Sequence, residues 1–280
     1  MAGEDNNMKH IKYLNTLDEV RALVSKVQEK RIPGILGLES LKHFFYRGQI
    51  SDSFELKSSL SRFFIDSKRL AKVEEELMIA FKAEMIAKGK FGKVMLHDPS
   101  MDFQNEWAWL GQAQHYRLPT RMLDWTLSWE VALFFAVENN PTYNDHDSQF
   151  WVFSVPEAIV MHDTKPELYY RTDPYRIDQT WLINPSFFWT DNNKNETAET
   201  RRARMHGKFL IQSLENTLKP LEDQADIIPN IEKYCIPKGA KGQIRLELAA
   251  DGIYGEFLYC NEDDVINDLI YNLRNKFNLT

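Results

Sequence analysis

Residues 1 to 10 form a polar stretch that reads as a loose terminus, and the first regular pattern comes directly after it: Thr16-Leu17-Asp18-Glu19 has the form of a capping box. Val20, Leu23, Val24 and Val27 then share one helical face, so an amphipathic helix is predicted to end before Pro33-Gly34. The stretch HFFYRGQISDSFELKSSLSRFF mixes aromatic and short polar residues without a long helical period, and short strands and turns fit it better. From Ser67 to about Lys88 the apolar positions Leu70, Val73, Leu77, Ala80, Phe81 and Met85 describe a long helix with a Lys- and Glu-rich outer face. After an irregular stretch to Phe103 comes a Trp-rich helix, Asn105 to about Tyr116, which must stop near Leu118 because Pro119 restricts the residue before it. Ser128 to Glu138 is apolar almost all round, the pattern of a helix buried on most sides, and Gln149 to Val155 is aromatic and β-branched, the pattern of a central strand. Residues Asp163 to Arg204, rich in Pro, Asn, Asp and Thr, read as a long surface loop. KFLIQS and KYCIP read as two further strands, and helical segments around Ile244 to Ala250 and about Asn261 to Phe277 close the chain.

With no internal repeat and no clear linker, the pattern predicts an α+β fold: a single domain with short strands gathered centrally and helices around them. Composition agrees with a folded chain, at 43% hydrophobic and 27% charged over 280 residues. The longest run without a polar side chain, Val131 to Val137, is far below the ~20 residues of a membrane helix, so no membrane partner is expected. A net charge of −7 argues against a surface built to coat nucleic acid. Arg201, Arg202 and Arg204 form the tightest basic cluster, which fits a solvated face as well as a local cleft. Cys235 and Cys260 offer neither a disulfide framework nor metal-ligand spacing and read as small core residues. The amino terminus lacks the basic and apolar blocks of a secretion signal, so a cytoplasmic location is expected.

Three stretches carry polar side chains where composition alone does not put them. In Phe45-Tyr46-Arg47-Gly48-Gln49 the glycine allows close approach of a ligand or another backbone. Its arginine presents donors that suit a phosphate, a ribose edge or a structural carboxylate. In the second stretch His115 and Tyr116 precede a turn at Pro119, Arg121 and Asp124 flank two apolar residues, and Trp125-Thr126 leads into the buried helix, which Thr126 or Ser128 can cap. Asp124 could pair with Arg121 or Arg47, or the group could make a pocket for an anionic, ring-bearing ligand at the helix N-terminus. On that second view the helix N-terminus and the Tyr-Arg-Gly strand are two walls of one cleft. In the third stretch His206-Gly207 opens a strand. His97, His115, His146 and His206 show no metal-ligand spacing, so no metal is expected, and phosphate-loop and dinucleotide glycine fingerprints are absent.

Taken together these stretches resemble the FRG domain family, named for its Phe/Tyr-Arg-Gly motif. FYRGQ at Phe45 to Gln49 matches the naming motif, and FELKSSLSR at Phe54 to Arg62 resembles the family's next segment. QHYRLPTRMLDWT, Gln114 to Thr126, is similar to the family's Gln-His-Tyr-Gly-Leu-Pro-Thr-Arg-Leu-Leu-Asp-Trp-Thr block. RMHGKFLIQS resembles its Gln-Gly-x-Phe strand, and the segment from Tyr234 to Tyr259 resembles its closing Ile-Pro-x-x-x-Lys and Gly-Ile portion. The resemblance spans about residues 40 to 265 and divides the chain into an N-terminal helix and lead-in, 1–38, and an FRG domain, 39–280. Arg117 stands where the family has glycine, and His206 where it has glutamine.

The layout is also similar, more distantly, to that of ADP-ribosyltransferases. That resemblance implies NAD-dependent ADP-ribosyl transfer or NAD cleavage, as a toxin or defence effector of bacterial or phage origin, with NAD as substrate and a protein or nucleic acid as acceptor. It implies that Arg47 anchors ribose or phosphate and that Thr126 bonds the nicotinamide-ribose side, while Asp124 and His206 stabilise positive charge or activate an acceptor. Under the same resemblance Tyr46, Gly48, Gln49, His115, Tyr116, Arg121 and Trp125 would line the NAD site, with Tyr116 or Trp125 stacked on a ring. Two other classes fit the same residues: a non-catalytic module binding a nucleotide or protein, and a nucleic-acid-processing enzyme.

Overall fold

The computed structural model describes residues 12–29, 31–33, 39–41, 44–89, 104–155, 172–183, 207–225, 227–258 and 264–279. The fold is α+β. Its contacts group the chain into two compact units, each assembled from three separated segments: 1–54, 128–154 and 230–254 in the first, and 55–127, 155–229 and 255–280 in the second.

In the first unit the strand order is β1 (Lys12–Tyr13), β9 (Ile231–Ile236), β6 (Ser148–Ser154), β4 (Phe44–Gln49). β1 runs parallel to β9, whereas β6 is antiparallel to both β9 and β4. A separate antiparallel pair joins β2 (Arg31–Pro33) and β3 (Glu39–Leu41). Helix α1 (Leu17–Gln28) starts at the predicted Thr16 cap, whose hydroxyl accepts from the Glu19 backbone N–H, while the Glu19 carboxylate accepts from the N–H of Asn15, one residue before the cap that a capping box would use. Helix α4 (Trp129–Val137) is capped by Ser128, whose hydroxyl accepts from the Val131 N–H, and it packs on β4 and β6. Helix α5 (Lys238–Ala250) begins directly after β9 at Pro237, earlier than the apolar pattern marks it, and packs on α4 and α1.

In the second unit the strand order is β5 (Met122–Thr126), β8 (Gly207–Ile211), β7 (Trp181–Ile183), all antiparallel. Met122, Phe209, Ile211, Trp181 and Ile183 join one core with Leu70, Leu77, Phe81 and Met85 of α2 (Ser67–Ala87) and Trp107 and Leu110 of α3 (Gln104–His115). Leu269, Ile270 and Leu273 of α7 (Asp264–Lys276) belong to the same core; a short helix, α6 (Gly255–Leu258), precedes it. The Trp107 and Trp181 rings stack at 5.6 Å, and the Trp107 indole donates to the Thr172 carbonyl. The long surface loop expected over Asp163 to Arg204 therefore needs correction at Trp181–Ile183, which is a buried strand. Its flanks at 184–206, with the arginine cluster, lie outside the described residues, as does Cys260; Cys235 is buried.

Candidate functional site

The Tyr-Arg-Gly motif lies in a strand, and a strand sends alternate side chains to opposite faces. Gly48 faces α4: a Cβ built on it would sit 1.9 Å from the Ala132 carbonyl oxygen and 2.6 Å from the Ala136 nitrogen. The glycine is required because helix backbone lies directly against strand backbone. Tyr46 shares that face, is 1% exposed, stacks on Phe150 at 5.9 Å and accepts a hydrogen bond from Gln28 of α1. Burial pushes its hydroxyl pKa up, with Glu130 adding to the shift and the Gln28 bond opposing it. The expectation that Tyr46 and Gly48 line a ligand site is corrected by the structure, which uses both as helix-packing positions. The expected cleft between α4 and this strand is likewise closed at Gly48 by backbone contact.

Arg47 points to the other face, where the register sets it opposite Trp151, and it is half-buried. Gln49, Gln149 and Trp151 share that face, and the Trp151 indole N–H lies 2.9 Å from both the Gln49 and the Gln149 side-chain oxygens. Lys233 of β9 is opposite Trp151 on its far side, with its ammonium 5.3 Å above the indole ring. Arg47, Trp151 and Lys233 thus form one row across β4, β6 and β9. Gln49, a candidate for touching ligand, is buried with its oxygen toward the indole.

In the second unit the Gln114 to Thr126 block is explained mostly by architecture. Arg117 has a φ of +63°, the left-handed conformation that ends a helix; the Leu118 N–H reaches back to the Ala113 carbonyl and the Arg117 N–H to that of Gln114. This is the position where the family resemblance calls for glycine, and its physical reason is that φ. The Gln114 side chain accepts from the Thr120 hydroxyl at 2.5 Å and donates to the Asp124 carboxylate at 2.8 Å, and the Thr120 oxygen also accepts the Met122 N–H. Asp124 is exposed, so this relay holds an outward carboxylate in one place.

Arg121 is fully buried: its Nε bonds the Glu74 carboxylate at 2.6 Å, and its terminal nitrogens donate to the carbonyls of Gln212 and Pro174. That engagement corrects its assignment to ligand binding and replaces the expected Asp124 partner with Glu74. Trp125, at 2% exposure, offers no ring face for stacking, which leaves Tyr116 of the two stacking candidates. Tyr116 and His115 are half-buried at the end of α3, with ring centroids 5.1 Å apart. Thr126 is buried in β5 opposite Gly207 and caps no helix, since Ser128 does so. His206 lies outside the described residues.

Gln114, Thr120, Trp151, Lys233 and Glu74 contact or neighbour the candidate residues and are not singled out by the sequence reading. The alternation along FFYRGQ and QFWVFS carries the signal for Trp151, because it separates the polar face of each strand from the apolar one. Among the described residues no group of three or more His, Cys, Asp or Glu side chains could hold a metal ion, and no helix is long and apolar enough to cross a membrane.

A block whose polar residues support a strand, a helix end and one outward carboxylate defines a class before it defines an activity. Residues 42–145 match the family model of the FRG domain. The match covers the Tyr-Arg-Gly strand, α2, α3, β5 and α4; it is narrower than the span of resemblance read from the motifs. No curated protein and no solved structure matches the chain.

Proposed function

We propose that the protein binds NAD and either cleaves it or transfers its ADP-ribose, with Arg47 as the anchor for phosphate or ribose. The observation that carries this reading is the split of the naming motif. Tyr46 and Gly48 are spent on packing, while Arg47 is turned to the opposite face, beside an indole fixed by two glutamine side chains. A guanidinium on a rigid strand among amide groups suits an anionic, ring-bearing ligand.

In the proposed reaction the bond between nicotinamide nitrogen and ribose carbon breaks, the ring leaves with the bonding electrons, and water or an acceptor adds to the oxocarbenium carbon and gives up its proton. Such chemistry needs positioning and electrostatic stabilisation more than covalent help.

The test is incubation of the purified chain with labelled NAD, alone and in lysate, monitoring nicotinamide release and label transfer. Arg47→Ala should abolish turnover while the circular dichroism spectrum and melting temperature stay unchanged; retained turnover removes Arg47 from the site. Saturable NAD binding without release or transfer would move the reading to a nucleotide-binding module.

A further inference from the structure

We propose that Lys233 is the second cation of the Arg47 site, and that the two together select ligands carrying a diphosphate over those carrying a single phosphate. The proposal deepens the reading above and rests on its placing of Arg47 against phosphate.

Three observations carry it. The register 47 opposite 151 opposite 233 puts all three side chains on one sheet face, and two strand spacings separate the Arg47 and Lys233 backbones by roughly 10 Å. Side chains of that length, one on either side of Trp151 in the row, can reach two linked phosphoryl groups rather than one.

The second observation is how Lys233 is held. Lys12, on the neighbouring strand β1, pairs with the Glu232 carboxylate at 2.9 Å. Among the described residues Lys233 has no carboxylate partner, is exposed, and rests its ammonium over the Trp151 ring. An aromatic face holds a cation without neutralising it, so the full charge is still available to an arriving anion.

The third is the rigidity of the floor. Trp151 is 2% exposed and its N–H is fixed between the oxygens of Gln49 and Gln149, so it takes no part in stacking and instead fixes where the lysine stem lies. In a chain of net charge −7, two cations on one strand row make a local positive site against the general field.

The experiment is a calorimetric titration of the full chain and its Lys233→Gln, Lys233→Arg and Arg47→Ala variants with ADP-ribose, AMP, inorganic pyrophosphate and inorganic phosphate. Lys233→Gln is expected to weaken ADP-ribose and pyrophosphate about tenfold or more while changing AMP and phosphate by less than about threefold, with Lys233→Arg close to the parent. Equal losses across all four ligands, or no loss for either diphosphate, would overturn the proposal. If Lys233→Gln leaves every affinity unchanged while Arg47→Ala abolishes binding, Lys233 is wrong and the Arg47 reading stands. Pyrophosphate binding that is lost in Lys233→Gln, from a chain that ignores ADP-ribose, supports the paired cations and sinks the NAD reading. A parent chain that binds none of the four overturns both. Because Lys233 is exposed, an unchanged melting temperature should confirm that each Lys233 variant is folded.

Discussion

Gly48 and Ala132 meet backbone to backbone: a Cβ at position 48 would stand 1.9 Å from the Ala132 carbonyl oxygen. Neither atom is the flexible end of a side chain, so the smallest possible addition has to push α4 off β4. Gly48→Ala should cost about 3 kcal/mol or more, at the upper end of overpacking effects. Urea unfolding of the variant measures this; a loss under about 1 kcal/mol would mean that α4 can shift without cost.

Arg117 occupies a left-handed backbone position at the end of α3, with a φ of +63°, and Gly252 holds the corresponding position after α5 at +88°. A side chain there is strained, whereas glycine adopts that conformation readily but loses more freedom on folding. The balance favours glycine, and Arg117→Gly should stabilise by about 0.5–1 kcal/mol, raising the melting temperature by about 2 °C. Arg117→Val should do the opposite, because a β-branched residue tolerates positive φ least. Melting curves of the two variants moving in the same direction would refute the account.

Much of the fold is legible because helical periodicity is a strong local signal: α2, α3 and α4 lie within a residue or two of where the apolar spacing puts them, and α1 starts at its predicted cap and ends at Gln28, before Pro33. β5 escapes that reading because its five residues, MLDWT, are too short to show alternation and come directly after a proline turn. β7 escapes it because three buried residues, Trp181 to Ile183, sit inside a stretch whose composition is that of a loop. Of the site, the Tyr-Arg-Gly strand is legible as a motif but not as a division of labour. That division appears only when the pleat is given a direction by the helix against Gly48. Two charged residues inside apolar stripes are further readable signals. Glu74 falls between Leu70 and Leu77 on α2, and Lys241 precedes Ile244 and Leu248 on α5; each is buried and has its partner in another part of its own unit.

Lys241 donates to the carbonyl oxygens of Ile50, Tyr143 and His146, at 3.0, 3.0 and 3.2 Å. One ammonium therefore ties the end of β4 to the turn before β6, and burial pulls its pKa below the ordinary lysine value, with Arg245 adding to the effect. Lys241→Met keeps the apolar stem and removes only the charge and its donors. The expected cost is about 2–4 kcal/mol in urea unfolding, since the carbonyls lose a charged partner where water reaches poorly. Lys241→Arg should not restore it, because a planar fork cannot replace three donors arranged around a point. Full rescue by arginine would show that charge alone, rather than the arrangement of carbonyls, sets the requirement.

Glu74 and Arg121 form a buried pair at 2.6 Å, both with almost no exposure. Removal from water raises the Glu74 pKa above its ordinary 4.5, and the attraction of Arg121 only partly opposes that. The folded state therefore binds the Glu74 proton more tightly than the unfolded chain does. The stability this contributes is complete below the ordinary carboxylate range and is lost as pH rises through the raised, folded-state value. Glu74→Gln removes the titration while leaving an amide oxygen able to accept from the Arg121 Nε. The stability of the parent relative to Glu74→Gln should consequently fall as pH rises from about 4 toward neutrality and level off once Glu74 is ionised in both states. Urea unfolding of the two proteins at matched pH values measures that difference. Parallel curves would mean that Glu74 titrates alike in the folded and unfolded states, and that Arg121 compensates the burial in full.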